Sequence, residues 1–397
     1  MTANHRIEYN WIKGVETLEE YQPGGYHPVM IDDLLHERYR IVDKLGFGGY
    51  STVWLAQDTQ LMRYVAVKVN TADSLPHETT VLKALSAPSF IHPGHGLVPS
   101  LLDEFRVEEI SFSRLFPLKF ARALSYRLAQ AVAYTHSRNC VHGDIHLSNI
   151  LIRLPSSFDQ LSISQLYEQY GEPDTVLITR CDGGPVPPNA PAKAVVPLFL
   201  GKYAEKFSLS DAHLLLLCDF GEAFSPATNP RLGKDCHTPP AFRAPEAKFE
   251  PQSPLTYSMD IWSLATAIWE IMGMKAIFST DFVPDDEIVS QHVDVLGPMP
   301  SEWWQTWKGR SRFFHENGSP TEAYKENRWP CLKGSFEVCI QKWRQKIRDE
   351  IQEDEKAAFL DLMRHMLSFR PQDRPTAAEV LLSDWMVKWA SPDYSEV

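Results

Sequence analysis

From Tyr39 the chain alternates apolar and polar positions as half-buried strands do: Y-R-I-V-D-K-L, then a glycine-rich G-F-G-G-Y-S, then T-V-W-L-A. The pattern predicts strand, glycine turn, strand. A third apolar run, Y-V-A-V-K-V, carries Lys68 near its end. The period then changes: in S-L-P-H-E-T-T-V-L-K-A-L, Val81, Leu82 and Leu85 recur at helical spacing behind Glu78. Leu118, Ala121, Leu124, Leu128, Ala131 and Val132 make one face of a long helix from about Pro117 to Ser137, with proline at its first turn. It leads into C-V-H-G-D-I-H-L-S-N-I-L-I, Cys140 to Ile152, a polar loop pinned between apolar anchors. A buried strand, H-L-L-L-L-C, then ends on Asp219-Phe220-Gly221, and Ile261, Leu264, Ile268 and Ile271 stripe a further helix headed by Asp260. Phe359, Leu362, Met363 and Met366 stripe another, and Thr376 with Glu379 forms a capping box.

Between these segments the pattern is less informative. Residues 1–30, rich in Glu, Tyr and Gly, show no period and are expected to pack loosely. A strand is expected around Leu97 to Phe105. Arg106 to Phe116 leaves about ten residues before the long helix. Pro155 to about Ser208 stands as an insert whose piece C-D-G-G-P-V-P-P-N-A-P-A reads as an extended surface loop. These elements predict an α+β fold of two lobes, a small β-rich one over about 31–107 and a larger, mainly helical one over 108–397 that includes the insert.

Composition narrows the class. At 397 residues the chain exceeds one comfortable core, and 44% hydrophobic with 23% charged residues is ordinary for a globular protein. A formal net charge of -12 argues against a general nucleic-acid binder and fits a basic partner, or simply a solubilising surface. Neither an N-terminal apolar leader nor a membrane-spanning stretch is evident. The six cysteines show no metal spacing and read as reduced thiols.

The chemistry-bearing residues fall in a definite order. Gly46 and Gly48 let backbone amides approach an anion, with Ser51 in the place of a third glycine. Lys68 offers an amine on a strand, and Glu78 a carboxylate to hold it. Asp144 and Asn149 put an acid and an amide five positions apart, matching H-R-D-x-x-x-x-N. Asp219 follows in D-F-G, and Ala244-Pro245-Glu246 comes 25 residues after it, with Arg374 the natural partner of Glu246. Asp260 could hold the backbone of the Asp144 loop.

In this order the pieces resemble the eukaryotic protein kinases from about Tyr39 to Met386. More narrowly the chain is similar to the SR-protein kinases and their fungal relatives, through E-E-Y-Q-P-G-G-Y-H-P-V, L-G-F-G-G-Y-S-T-V-W-L, the insert before D-F-G, V-D-V-L-G-P-M-P-S-E-W-W, and Arg243 before A-P-E. The resemblance implies a cytoplasmic and nuclear monomer that uses ATP and Mg2+ to phosphorylate serines of basic Arg/Ser-rich proteins, contacting neither nucleic acid nor membrane. Asp144 would be the catalytic base, supported by Lys68, Glu78 and His146. Leu45, Gly46, Phe47, Gly48, Gly49, Ser51, Val53, Ala66 and Lys68 would hold the nucleotide, and Asn149 and Asp219 the metal. Asp281, Asp285, Asp286 and Glu287 are candidates for an acidic groove, or a solvated acidic loop. Three departures stand out: Gly143 in place of arginine before the Asp, His146 in place of lysine two residues after it, and a shortened or missing adenine-binding linker near 106–116. Two other readings stay open. One is a kinase-like scaffold with impaired nucleotide binding; the other is a small-molecule phosphotransferase of the aminoglycoside or choline kinase type.

Overall fold

A computed structural model describes residues 7–71, 77–86, 92–99, 115–153, 156–200, 206–280 and 283–391. Strands are β1 Leu34–Leu35, β2 Tyr39–Gly48, β3 Ser51–Asp58, β4 Arg63–Asn70, β5 Ile150–Ile152, β6 Thr175–Leu177, β7 Lys193–Val195 and β8 Leu215–Leu217. The first seven helices are α1 His77–Leu85, α2 Leu118–Ser137, α3 Ile163–Tyr170, α4 Glu246–Phe249, α5 Tyr257–Gly273, α6 Asp285–Leu296 and α7 Ser301–Thr306. Two compact units result: 7–71 with 152–200, and 77–99 with 115–151 and 206–391.

The first unit is built on an antiparallel sheet in the order β1-β2-β3-β4. Alternation along the strands sends Ile41, Trp54, Ala56 and Val65 to one face, where Val29 and Val195 cover them. Val42, Leu45, Leu55 and Tyr64 point to the other, against Phe158, Leu166 and Leu200. Both faces are therefore buried by residues outside the sheet. The insert does this on each side, with α3 on one and β7 on the other. It belongs to the sheet unit and not to the helical one, to which the sequence reading assigned it. Its proline- and glycine-rich stretch is a loop as expected, but Ala190 is anchored in a cluster with Tyr9, Leu18, Tyr21, Tyr26, Ile178 and Ala194.

That cluster also overturns the expectation of a loose N-terminal segment. Tyr9, Leu18, Tyr21, Tyr26 and Val29 are all buried, and Asn10 N donates to Thr179 O at 2.9 Å. The segment has no period because, apart from a 3-10 turn at Leu18–Glu20 and a single bridge at Tyr9, its described residues form no helix or strand. It is an irregular strap whose apolar side chains find partners far along the chain.

The second unit is helical. The 20-residue α2 and the 17-residue α5 are buried along most of their length. The capping box at Thr376 and Glu379 forms in both directions, and the Phe359 stripe lies on the helix Glu353–Met366. Leu97 closes a short 3-10 turn; most of the strand expected there, and the linker region through residue 114, lie outside the described residues. Among the described residues no helix is long and apolar enough to cross a membrane, and all six cysteines are free thiols.

Candidate active site

In the second unit, the loop between α2 and β5 is held from below by one carboxylate. Asp260, in the first turn of α5 and 1% exposed, accepts His142 N at 2.7 Å and Gly143 N at 2.9 Å, and its Oδ2 lies 2.9 Å from His136 Nε2. The role expected for Asp260 is the one it has. The loop takes a left-handed turn at Gly143, φ +80°, where an added Cβ would meet Glu222 O at 2.8 Å. Glycine at this position thus has a steric reason as well as a conformational one. Above it, Thr238 donates its hydroxyl to Gly143 O at 2.6 Å, a contact that the sequence did not signal beyond its place between D-F-G and A-P-E.

Asp144 emerges from this frame with its two oxygens in different surroundings. Oδ2 lies 3.2 Å from the amide nitrogen of Asn149 and 3.3 Å from His146 Nε2. Oδ1 has no hydrogen-bond partner among the described residues. Asn149 also donates to Asp144 O at 2.8 Å, which turns its amide oxygen away from the carboxylate. The His146 ring stacks on Phe242 at 5.4 Å. Beneath the loop, His142 is wholly buried, and burial holds its imidazole below its usual range, so it acts as a neutral strut between Cys218 O and Asp144 N.

β8, hydrogen-bonded to β5, delivers Asp219. This residue adopts a left-handed conformation, φ 61°, and its exposed carboxylate accepts Gly221 N at 3.3 Å. Phe220 is buried with Leu82, Leu85, Val98 and Tyr134, and Glu78 Oε1 on α1 accepts Phe220 N at 3.2 Å. The structure therefore brings Asp144, His146 and Asn149 together, and Glu78 to the Phe220 backbone. Further along, Glu222 pairs with Arg231 and with His237. Glu246 and Arg374 form the expected pair, bidentate at 2.8 and 2.7 Å and buried.

In the first unit, Gly48 and Ser51 face each other across the turn between β2 and β3, and Lys68 sits opposite Val53 in the β3–β4 register. A Cβ added at Gly46, Gly48 or Gly49 would meet nothing within 4 Å, so the turn leaves its backbone open to a ligand. Leu45, Val53 and Ala66 share the sheet face on which Leu161 and Ile163 of the insert also pack. Val53 and Ala66 are only half-buried there.

The acidic residues near 281–287 fare differently from one another. Asp281 lies outside the described residues. Asp286 is engaged by Lys248 at 2.7 Å and Trp307 Nε1 at 2.9 Å. Burial pushes its carboxyl up, but these two hydrogen bonds outweigh it and hold the group below the usual range. Asp285 lies 3.6 Å from Arg243 and is half exposed.

The donor set fits a magnesium-bound phosphate. Hard oxygens from one amide and one carboxylate, completed by phosphate and water, are what Mg2+ prefers. Among the described residues no group of three or more His, Cys, Asp or Glu forms a metal site of another kind.

Comparisons with known proteins agree with this geometry. Residues 207–386 match the protein kinase domain family. A serine/threonine protein kinase of Aspergillus fumigatus is 27% identical over 94% of this chain and 90% of its own length. The serine/threonine-protein kinase SRPK of Physarum polycephalum is 24% identical, over 94% and 91%. Human SRSF protein kinase 3 is 28% identical over 34% of this chain and 29% of its own. A crystal structure of a kinase domain superposes with a TM-score of 0.59 at 18% identity, covering 91% of this chain and 98% of that one. The chain has the protein kinase fold and is similar in sequence to serine/threonine protein kinases.

Proposed function

We propose that the chain is an ATP- and magnesium-dependent serine/threonine protein kinase in which Asp144 accepts the proton of the attacking hydroxyl. The observation that carries this is the asymmetry of Asp144: one carboxylate oxygen is fixed by Asn149 and His146, and the other has no donor among the described residues. A buried acceptor without a donor is costly, about 1–3 kcal/mol. Such a group is retained where an incoming hydroxyl is to supply the missing hydrogen bond.

When bound, magnesium and ATP supply the transferable phosphoryl group and the charge that stabilises it. Asn149 through its amide oxygen and Asp219 through its carboxylate would hold the metal. The backbone amides around Gly46 and Gly48, with the Lys68 amine, would hold the phosphates. Glu78, hydrogen-bonded to Phe220 N, fixes the segment that carries Asp219. Asp144, oriented by Asn149 and by Asp260 through the loop backbone, would receive the proton of the attacking hydroxyl. His146 stands beside Asp144, its Nε2 3.3 Å from Oδ2, and would help to orient that carboxylate.

Basic Arg/Ser-rich proteins are the proposed substrates. Relatives named SRPK and SRSF protein kinase, and the net charge of -12, support this reading. Asp285 and Glu287 remain the acidic candidates on α6, since Asp286 is occupied by Lys248 and Trp307.

The test is phosphate transfer from ATP to an Arg/Ser peptide by wild type and Asp144→Asn. Loss of the base is expected to lower kcat by about 10²- to 10⁴-fold while the thermal shift with magnesium and ATP persists. Equal incorporation by the two proteins would overturn the assignment of Asp144.

A further inference from the structure

The N-terminal strap is joined to the glycine turn itself. Tyr26, 6% exposed, donates its hydroxyl to Gly48 O at 2.6 Å. Ten residues earlier in the strap, Glu16 pairs with Lys44, and both side chains are buried. Tyr21 donates to the other oxygen of Glu16. The Lys44 amine so held lies 5.4 Å from the ring centroid of Phe47 and 5.2 Å from that of Trp54. From the other side, Thr71 N donates to Tyr50 O at 2.8 Å. Gly48, held by Tyr26, and Phe47, over which the Lys44 amine lies, are inside the stretch assigned above to the phosphates.

We infer that Tyr26 is a positioning residue for the nucleotide, fixing the Gly48 carbonyl so that the neighbouring backbone amides of the turn face the phosphates. The inference rests on the kinase reading of the site. Three features support a positioning role over a merely structural one. Gly48 carries no side chain and meets no neighbour at its Cβ position, so sterics alone do not fix it. Burial, and then Glu16 and Glu20, push the Tyr26 phenol up from its usual range, which keeps it a donor at any working pH. Finally, a carbonyl that accepts from Tyr26 cannot swing round to face an anion, so a peptide flip that would present oxygen to phosphate is disfavoured. The strap would then act on phosphate groups and not on the base.

The experiment compares wild type, Tyr26→Phe and Tyr167→Phe. Tyr167 is the control, because its hydroxyl makes the same kind of bond to the same strand, to Val42 O at 2.9 Å, away from the turn. Loss of one hydrogen bond corresponds to about twofold to tenfold in affinity. Tyr26→Phe is expected to raise the KM for magnesium-ATP by that factor, with kcat at saturating ATP and the Kd for adenosine unchanged. Tyr167→Phe is expected to change neither ATP nor adenosine binding. A wild type that binds both ligands, with an unchanged ATP KM in Tyr26→Phe, overturns the inference alone, as would equal shifts in the two variants. A wild type that binds neither ligand overturns the kinase reading and this inference with it.

Discussion

Asp43 shows how a single buried group can set a pH dependence that the site does not explain. It lies on β2, 1% exposed, with Oδ1 accepting Lys44 N at 2.7 Å and Oδ2 without a partner among the described residues. Burial, with Asp174 adding to it, pushes its carboxyl up to about 6 from an ordinary 3.8. Below the lower value the group is protonated folded or unfolded and costs nothing. Above the higher value it is ionised in both states, and the folded state bears the whole penalty of holding the charge, about 3 kcal/mol as an upper figure. The destabilisation therefore appears as pH rises from about 4 through about 6. Asp43→Asn is expected to stabilise the first unit at pH 7.5, with the gain falling to roughly half at pH 5. Urea unfolding followed at the two pH values checks this, and an equal gain at both would show that the folded carboxyl takes up no proton between them, so that burial has not raised it to about 6.

At the scale of elements, the legible parts were those whose contacts leave a local trace. β2, β3 and β4 announce themselves by alternation. α2 and α5 do so by their stripes, and the Thr376 cap by a three-residue spacing. Asp144, Asn149 and Asp219 stand out in the sequence because the proposed chemistry asks for those residue types in that order. The strap and the insert were misplaced because their apolar residues partner at long range: Tyr9 and Tyr21 pack with Ile178 and Ala190, and Leu166 with Val42 and Leu55. Nothing in a window of ten residues encodes such a pairing. The junction of α5 with the Asp144 loop is the most consequential element contact. Asp260→Ala would leave two backbone N–H groups buried without an acceptor, at about 1–3 kcal/mol each. The expected result is a loss of about 2–5 kcal/mol in urea unfolding, together with a fall in kcat that raising ATP does not restore. If stability falls but kcat holds, the loop keeps its geometry without Asp260.

For the molecule as a whole, the governing quantity is charge. A net charge of -12 creates a potential that draws in a basic peptide and raises its encounter rate, and added salt screens that attraction. On the proposed reading, the KM of an Arg/Ser peptide should rise steeply with ionic strength, several-fold between about 0.05 and 0.3 M salt as the Debye length shortens from about 14 to about 6 Å. On the same reading, local pairs would set the specificity within that field. Asp286 is bound up with Lys248 and Trp307, whereas Asp285, 49% exposed, is free to exchange Arg243 for a substrate arginine. Asp285→Asn should therefore raise the peptide KM and flatten its salt dependence, since one close attraction is gone while the long-range field is nearly the same. A peptide with lysine and arginine replaced by glutamine separates the two contributions: its KM should be high at every salt concentration and insensitive to Asp285→Asn. Should the neutral peptide be phosphorylated as readily as the basic one at low salt, charge does not select the substrate, and the Arg/Ser assignment falls while the chemistry at Asp144 stands.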